Sequence, residues 1–237
     1  MADIILLVFE GERTEPMIFD NLKKTFFGSE TNSIIHATYN AEIYQLWKRV
    51  RDDEFLDLIE LLRERDGRNR TRLEGIERDH VSQIFLFFDY EGHATGATDE
   101  KIEKMLVHFD EETENGKLYI SYPMVEAFKD TTPDFRNHTV PAKHNRDNYK
   151  GQVAKSTVYQ DPRKITLTNW KTIISENLKK GNFIVTRSYA PSASPPSQNI
   201  IFEGQLTNYI RPQNQVAVLS GIPFFIVEYF EDYLRGL

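Results

Sequence analysis

The segment IILLVFEGE, residues 4–12, decides the fold, because an uninterrupted apolar run ends there in two carboxylates that flank a glycine. A second segment, IFLFFDYEG at residues 84–92, repeats this arrangement. Continuous apolar runs of this length are typical of strands buried on both faces, as in a parallel sheet. Ligands of open α/β sheets bind beyond the carboxyl ends of such strands. We therefore expect Glu10, Asp89 and Glu91 to meet at one edge of the sheet.

These three carboxylates predict a metal centre. Side chains two positions apart in an extended chain point the same way, so Asp89 and Glu91 can face one cation. Three converging charges repel one another unless a cation neutralises them, and oxygen ligands suit Mg²⁺. The pattern therefore indicates a magnesium-type site and phosphate chemistry. Two plainer interpretations stay open: Glu10 as a surface residue after a strand, and residues 89–92 as a polar turn.

Composition limits the class of protein. The chain has 237 residues, enough for one large domain or a domain with a sizeable insertion. Its net charge of −7 argues against a general nucleic-acid coat protein. With no cysteine, disulfides, thiolate zinc sites and cysteine nucleophiles are excluded, and a reducing cytoplasm is expected. We find no signal peptide and no run near the roughly 20 apolar residues of a membrane span, so no membrane partner is expected.

The first half of the sequence alternates strands and helices, which predicts an α/β fold with a mostly parallel sheet flanked by helices. Thr14 and Thr98 are expected to cap helices. The predicted strands are residues 3–9, 34–39, 83–88 and 117–121, and the predicted helices are 14–27, 41–65 and 98–112. Residues 63–78 are expected to be a helix end followed by an exposed loop.

The second half is less regular, and its elements are predicted as follows. Helices are expected at residues 123–129, 168–180, 197–210 and 221–234, and a strand is expected at 215–219. Gly181 is expected to end the helix 168–180. We divide the chain into a catalytic core (1–130), a polar and basic insertion or lid (131–165), and a C-terminal elaboration of helices and a strand packed on the core (166–237).

The order strand, Glu-Gly, helix, strand, Asp-x-acid resembles the Toprim domain of topoisomerases, primases and several nucleases. The resemblance covers residues 1–130. Glu10 falls on the Glu of that family, and Asp89 and Glu91 fall on its Asp-x-Asp, with Glu91 where Asp is usual. The resemblance implies a Toprim-like core, catalysis by these acids, and Mg²⁺ or Mn²⁺ as the cofactor.

Two further segments are similar to the RloB/AbiL-like branch of Toprim proteins, which is related to the OLD-type and PARIS AriB effectors. EGERTEP at residues 10–16 matches its EGE-x-TEP opening, and SYPMVEAF at residues 121–128 is similar to its NP-x-FE-x-W segment, with Tyr122 and Val125 departing from it. The resemblance implies that Glu126 is a further catalytic acid. It also implies an anti-phage nuclease, toxin-like, controlled by an ABC- or AAA-type ATPase encoded nearby.

Basic residues supply the candidates for nucleic-acid binding. We expect Lys129, Lys143 or Lys150 to stabilise charge on the cleaved phosphate. Arg146 and Lys155 lie in the insertion, where basic residues are interleaved with tyrosines that can stack on bases. An ordinary solvated loop is the alternative. Glu12 is an additional candidate ligand.

Two other functions stay open. The first is a non-catalytic Toprim-like module that docks on an ATPase or on nucleic acid. The second is a primase-like or topoisomerase-like enzyme, which is disfavoured because zinc ligands are absent and no tyrosine can be singled out as a nucleophile. The sequence does not choose between RNA, such as tRNA, and DNA as the substrate. The apolar C-terminal helix predicts core packing, or a homodimer or partner surface if part of its face is exposed. No Walker A motif is present, so ATP hydrolysis is not expected.

Overall fold

The computed structural model describes residues 4–27, 34–53, 55–90, 92–143, 146–192 and 194–230, with the side chains of residues 146 and 147 left out. Its centre is a five-stranded sheet with the strand order β2-β1-β3-β5-β4. The strands are β1 (Ile4–Phe9), β2 (Ile34–Thr38), β3 (Val81–Asp89), β4 (Asp110–Glu111) and β5 (Gly116–Ser121). All pairs are parallel except β4 with β5. The predicted fold class, an α/β fold with a mostly parallel sheet, is confirmed.

Helices flank this sheet. They are α1 (Thr14–Leu22), α2 (Ile43–Asp52), α3 (Leu58–Arg65), α4 (Gly67–Arg72), α5 (Asp99–His108), α6 (Arg146–Ser156), α7 (Leu167–Thr186), α8 (Gln198–Gln205), α9 (Arg211–Gln213) and α10 (Ile222–Tyr229). A second, two-stranded sheet pairs β6 (Thr139–Pro141) with β7 (Gln215–Ala217). Among the described helices, none has the length and apolar character needed to cross a membrane.

Apolar side chains cover both faces of the large sheet, as the continuous apolar runs require. On one face Phe87 stacks on Phe9, with ring centroids 5.0 Å apart, and on Tyr119, 5.6 Å away. On the other face Phe88 contacts Tyr39 edge to face at 6.0 Å. Because both faces of β1 and β3 are buried, only the strand ends can present polar groups to a ligand.

The predicted helix 41–65 is wrong as one element, because the chain breaks between α2 and α3. Asp57 begins the second helix by accepting hydrogen bonds from the backbone N–H groups of Ile59 and Glu60. The expected exposed loop after it instead contains α4, whose Asn69 is fully buried. The predicted cap at Thr14 is also wrong: α1 starts at Thr14 itself, and its N-cap is Arg13, without a side-chain cap. Thr98 does cap α5.

The helix predicted to reach residue 112 ends at His108, because the chain then turns into the hairpin of β4 and β5. Gly116 has a φ of +103°, which only glycine adopts readily, and its position allows this reversal. The sequence signal for the turn was present, but the two-residue strand before it was not recognised.

The predicted polar insertion, residues 131–165, is folded and partly buried. It contributes β6 and α6, and Tyr149 and Val153 of α6 are buried. β6 pairs with β7 from the C-terminal part of the chain. The alternative of an ordinary solvated loop, which concerned residues 143–164, is therefore wrong for residues 146–156.

Helix α7 continues through Gly181 and ends at Thr186, and its C-cap, Arg187, has a left-handed backbone conformation. A Cβ atom at position 181 would come within 2.5 Å of the ring of Phe224. Gly181 therefore permits the close approach of α10 to α7 and is not the terminator that the sequence predicted. Residues 231–234 of the predicted C-terminal helix lie outside the described residues.

Candidate active site

Two of the predicted acids lie together at the carboxyl edge of the sheet. Glu10 directly follows β1, and Asp89 is the last residue of β3. The backbone N–H of Glu10 donates to the carbonyl of Phe87 at 3.0 Å, which keeps the two strands in register through their ends. The backbone N–H of Asp89 donates to Oε2 of Glu10, also at 3.0 Å. Both side chains belong to residues less than a tenth exposed.

Glu126 enters the same region from the next strand. It lies on a 3₁₀ turn, Val125–Lys129, a few residues after β5, and it is only 1% exposed. Neither carboxylate oxygen has a hydrogen-bonding partner among the described residues. The ammonium of Lys150 forms an ion pair with Glu126: its Nζ lies 2.9 Å from Oε1, without hydrogen-bonding geometry.

This ion pair does not offset the burial of Glu126. The Lys150 side chain is 54% exposed, and pairs with an exposed partner contribute about 0–1 kcal/mol. Removing a carboxylate from water costs on the order of several kcal/mol. A buried carboxylate that accepts no hydrogen bond is therefore a costly feature of this fold, and it calls for an additional cation or donor.

Glu15, a residue that the sequence analysis missed as a site residue, also lies here. It is 7% exposed and accepts a hydrogen bond of 3.0 Å from the backbone N–H of Gly11. Burial raises the pKa of Glu15, backbone hydrogen bonds oppose this shift, and the charges of Glu10 and Glu126 add to it, so that the pKa is about 7. Glu15 is thus near both acids. Its place in the first turn of the helix that follows β1 was the available signal.

The predicted basic residues fall in different places. Lys129 is close to Glu126 and Lys150: burial lowers its pKa, Glu126 opposes that shift, and Lys150 adds to it. Lys143 instead lines a separate cleft, and Lys155 is exposed on α6. Arg146 begins α6, and its side chain is outside the described part of the structure.

The structure does not describe one of the acids predicted near the metal, and it places another at the surface. Glu91 lies outside the described residues, so its predicted role as a ligand stays a prediction. Glu12 is 48% exposed and forms an ion pair with Arg68 at the surface. Glu10 and Glu12 flank Gly11 in the sequence, yet only Glu10 is buried beside Asp89.

A buried hydrogen-bond network positions Lys150. Asp130 accepts from the Tyr149 hydroxyl at 2.8 Å and from the backbone N–H and hydroxyl of Thr132. His138 Nδ1 lies 3.0 Å from the same carboxylate. Burial raises the pKa of Asp130, but His138 and Thr132 outweigh it and bring the pKa to about 2. Because Tyr149 precedes Lys150 on α6, this network fixes the helix that carries the lysine.

The donor set suits a hard divalent cation in part. Carboxylate oxygens are the ligands that Mg²⁺ and Mn²⁺ take, and the unpaired oxygens of Glu126 supply a buried charge that such a cation would neutralise. Within the described residues, however, no three His, Cys, Asp or Glu side chains are close enough together to hold a metal ion. The described acids therefore provide the right chemistry but not a complete set of ligands.

Comparisons with known proteins identify no relative of this chain. No family model matches it, and no curated protein and no solved structure is significantly similar to it.

Proposed function

We propose that this protein is a metal-dependent nuclease that cleaves phosphodiester bonds at the carboxyl edge of its parallel sheet. The observation that carries the proposal is the buried carboxylate of Glu126, which has no hydrogen-bond donor among the described residues and lies in the same region as Glu10, Glu15 and Asp89. A fold that keeps such a costly group at the ligand-binding edge of an α/β sheet has a use for it.

Glu10 and Asp89 would hold the cation together with Glu91, as the Toprim resemblance implies. Glu126 and Glu15 would add buried carboxylates in the same region. When bound, Mg²⁺ or Mn²⁺ supplies Lewis-acid stabilisation of the charge on the reacting phosphate. Lys150 and Lys129 add positive charge beside Glu126, where they offset the repulsion between the acids and an incoming phosphate. The low exposure of the acids limits competing water around them.

The biological setting comes from the resemblance to the RloB/AbiL-like branch. On that basis the protein acts in the cytoplasm as an anti-phage effector, cleaves RNA such as tRNA, or DNA, and is restrained by an ABC- or AAA-type ATPase. This resemblance guides the choice of RNA and DNA substrates for the test. The outcome of the test does not depend on the resemblance.

The test compares two glutamates that flank Gly11. Purified protein is incubated with Mg²⁺ or Mn²⁺ and with tRNA, rRNA or DNA, and the products are resolved on denaturing gels. Glu10→Gln should abolish cleavage, whereas Glu12→Gln should retain it, because Glu12 is held at the surface by Arg68. Equal loss in both variants, or cleavage that persists in Glu10→Gln, contradicts the proposal.

The same variants are then expressed in cells with and without the candidate ATPase partner. Toxicity that requires Glu10 and is suppressed by the partner supports a restrained effector. This arm covers the case in which the purified protein is inactive because its trigger is missing. Absence of both cleavage and Glu10-dependent toxicity excludes the nuclease.

One observation favours the second candidate, a non-catalytic binding module. The described residues do not bring three metal-ligating side chains together. A module of this kind would bind nucleic acid or the ATPase without cleaving anything, and its thermal stability would not respond to Mg²⁺ or Mn²⁺. A metal-dependent rise in the melting temperature of the wild type that disappears in Glu10→Gln excludes this candidate.

A further inference from the structure

A cleft of about 470 Å³ opens beside the end of β3. It is distinct from the acidic group, which consists of Glu10, Glu15, Asp89 and Glu126. Its floor includes Tyr44 and Tyr90, which are less than a tenth exposed. Lys143, which follows β6, and Arg211, at the start of α9, line it, as do Asp99 and Glu100 at the start of α5. None of these residues is used by the site proposed above.

The lining combines two signs of charge. Lys143 and Arg211 supply cations, and Asp99 and Glu100 supply carboxylates that already occupy the first turn of α5. Those carboxylates disfavour a second anion at that helix end, so an anionic group would bind at the lysine and the arginine. A ligand that fits the cleft therefore carries an anion together with hydrogen-bond donors.

The cleft begins one residue away from the candidate catalytic acid. Tyr90 follows Asp89, and successive side chains at a strand end point to opposite faces, so the acid and the cleft lie on the two sides of the same strand end. Gly92 also lines the cleft, and a Cβ there would lie 2.5 Å from the carbonyl of Ala142. Gly92 is thus packed tightly against Ala142, the residue before Lys143.

We propose that this cleft binds a nucleotide of single-stranded RNA close to the phosphate that is cut. A backbone phosphate lies against Lys143 and Arg211, the base contacts the small exposed parts of Tyr44 and Tyr90, and the ribose hydroxyl donates to Asp99 or Glu100. The proximity to the cut rests on the proposed function. Binding itself rests only on the cleft.

The chemistry of RNA fits each part of the lining. Lysine and arginine bind phosphates without regard to base identity, and the tyrosine atoms that line the cleft give the base an apolar contact. Carboxylates accept hydrogen bonds from ribose hydroxyls, and the 2′-hydroxyl is the donor that RNA has and DNA lacks. The pair Asp99 and Glu100 therefore assigns RNA, and not DNA, to the cleft.

The test measures binding without cleavage. Fluorescence anisotropy is recorded with labelled single-stranded RNA and DNA of identical sequence, at low salt and in EDTA, using the full chain. Lys143→Gln combined with Arg211→Gln should weaken RNA binding about fivefold or more. The charge-matched control, Lys24→Gln combined with Lys171→Gln, removes two exposed lysines outside the cleft and should weaken it less than about twofold.

A second pair of variants tests the sugar. Asp99→Ala combined with Glu100→Ala removes the acceptors, and the ratio of RNA to DNA affinity should fall about threefold to tenfold, as expected for one lost hydrogen bond. The ratio is the readout because removing two negative charges raises both affinities. Circular dichroism and melting temperature check that each variant is folded.

The outcomes separate the cleft from the nuclease. If the wild type binds no RNA, if the Lys143 and Arg211 variant matches its control, or if the RNA-to-DNA ratio does not change, the cleft assignment is overturned, even when Glu10-dependent cleavage is found. If binding depends on the cleft but neither cleavage nor Glu10-dependent toxicity is found, the nuclease proposal fails and the RNA site stands.

Discussion

Replacing Glu126 by glutamine should stabilise the protein in the absence of divalent cations. The amide has nearly the shape of the carboxylate but carries no charge. Burial of the charge costs several kcal/mol, and the pair with half-exposed Lys150 returns only about 0–1 kcal/mol. The amide, buried with poor partners, costs about 1–3 kcal/mol, so the net gain in the free energy of unfolding should be about 1–2 kcal/mol.

The assay is thermal unfolding in EDTA and in increasing Mg²⁺ or Mn²⁺. For a domain of this size, 1 kcal/mol shifts the melting temperature by about 2–4 °C. The variant should therefore melt about 2–8 °C above the wild type in EDTA. A cation at ten times its dissociation constant adds about 1.4 kcal/mol to the wild type, and this gain should shrink or vanish in the variant.

The matched control is Glu74→Gln, an exposed glutamate on which the same change should alter the free energy of unfolding by less than about 0.5 kcal/mol. If Glu126→Gln is destabilised by more than about 1 kcal/mol relative to that control in EDTA, the ion pair with Lys150 is favourable overall. The reasoning that Glu126 carries an uncompensated charge would then be refuted.

Two further predictions concern the fold. In urea titrations, Gly181→Ala should lower the free energy of unfolding by about 1–3 kcal/mol, because its Cβ would lie 2.5 Å from Phe224. Gly151→Ala should raise the free energy of unfolding by up to about 1 kcal/mol, because no atom lies within 4 Å of its Cβ. Burial lowers the pKa of His36 to about 4, below its unfolded value, so the wild type should lose stability as the pH falls from about 6.5 toward 4. Between pH 7 and 4.5 it should lose about 2 kcal/mol more than His36→Phe, and equal losses would contradict a neutral buried imidazole.

The part of the site that the sequence predicted is the part set by the strand ends. Two long apolar runs must be buried on both faces, so the acids after them must meet at one edge, as Glu10 and Asp89 do. The burial of Glu15 was not predictable in this way, because it depends on how closely α1 returns to β1. Helix α6 buries Tyr149 and Val153, which lie four positions apart. One such pair in a polar segment was too weak a pattern to identify a helix.

Tertiary contacts account for the other differences. Gly181 follows a run of helical residues and looks like a terminator, and only the approach of Phe224 shows that its missing side chain is needed for packing. The orientation of Glu126 depends in the same way on the turn after β5 and on α6, which brings Lys150 beside it. Local sequence patterns specify elements, whereas these features arise between elements that are distant in the sequence.

The structure indicates a different role for Gly11 from the one that its sequence motif predicts. Because Gly11 lies between two glutamates after a strand, the sequence indicated that it lets a metal or phosphate approach. In the structure a Cβ at position 11 would lie 2.6 Å from Oε1 of Glu15, the oxygen that accepts the Gly11 N–H. We infer that the glycine makes room for Glu15, and that Gly11→Ala displaces this carboxylate from the acidic group.

Gly11→Ala should therefore reduce the metal-dependent rise in melting temperature by half or more, whereas Gly67→Ala, which has no atom within 4 Å of its Cβ, should leave that rise unchanged. The effect should depend on Glu15. Adding Gly11→Ala to a Glu15→Ala protein removes no further interaction and should change the metal response by less than about 0.5 kcal/mol, since only contacting residues couple. If Gly11→Ala is equally harmful with and without Glu15, the methyl group obstructs the metal or the phosphate itself, and the glycine serves the ligand and not the neighbouring carboxylate.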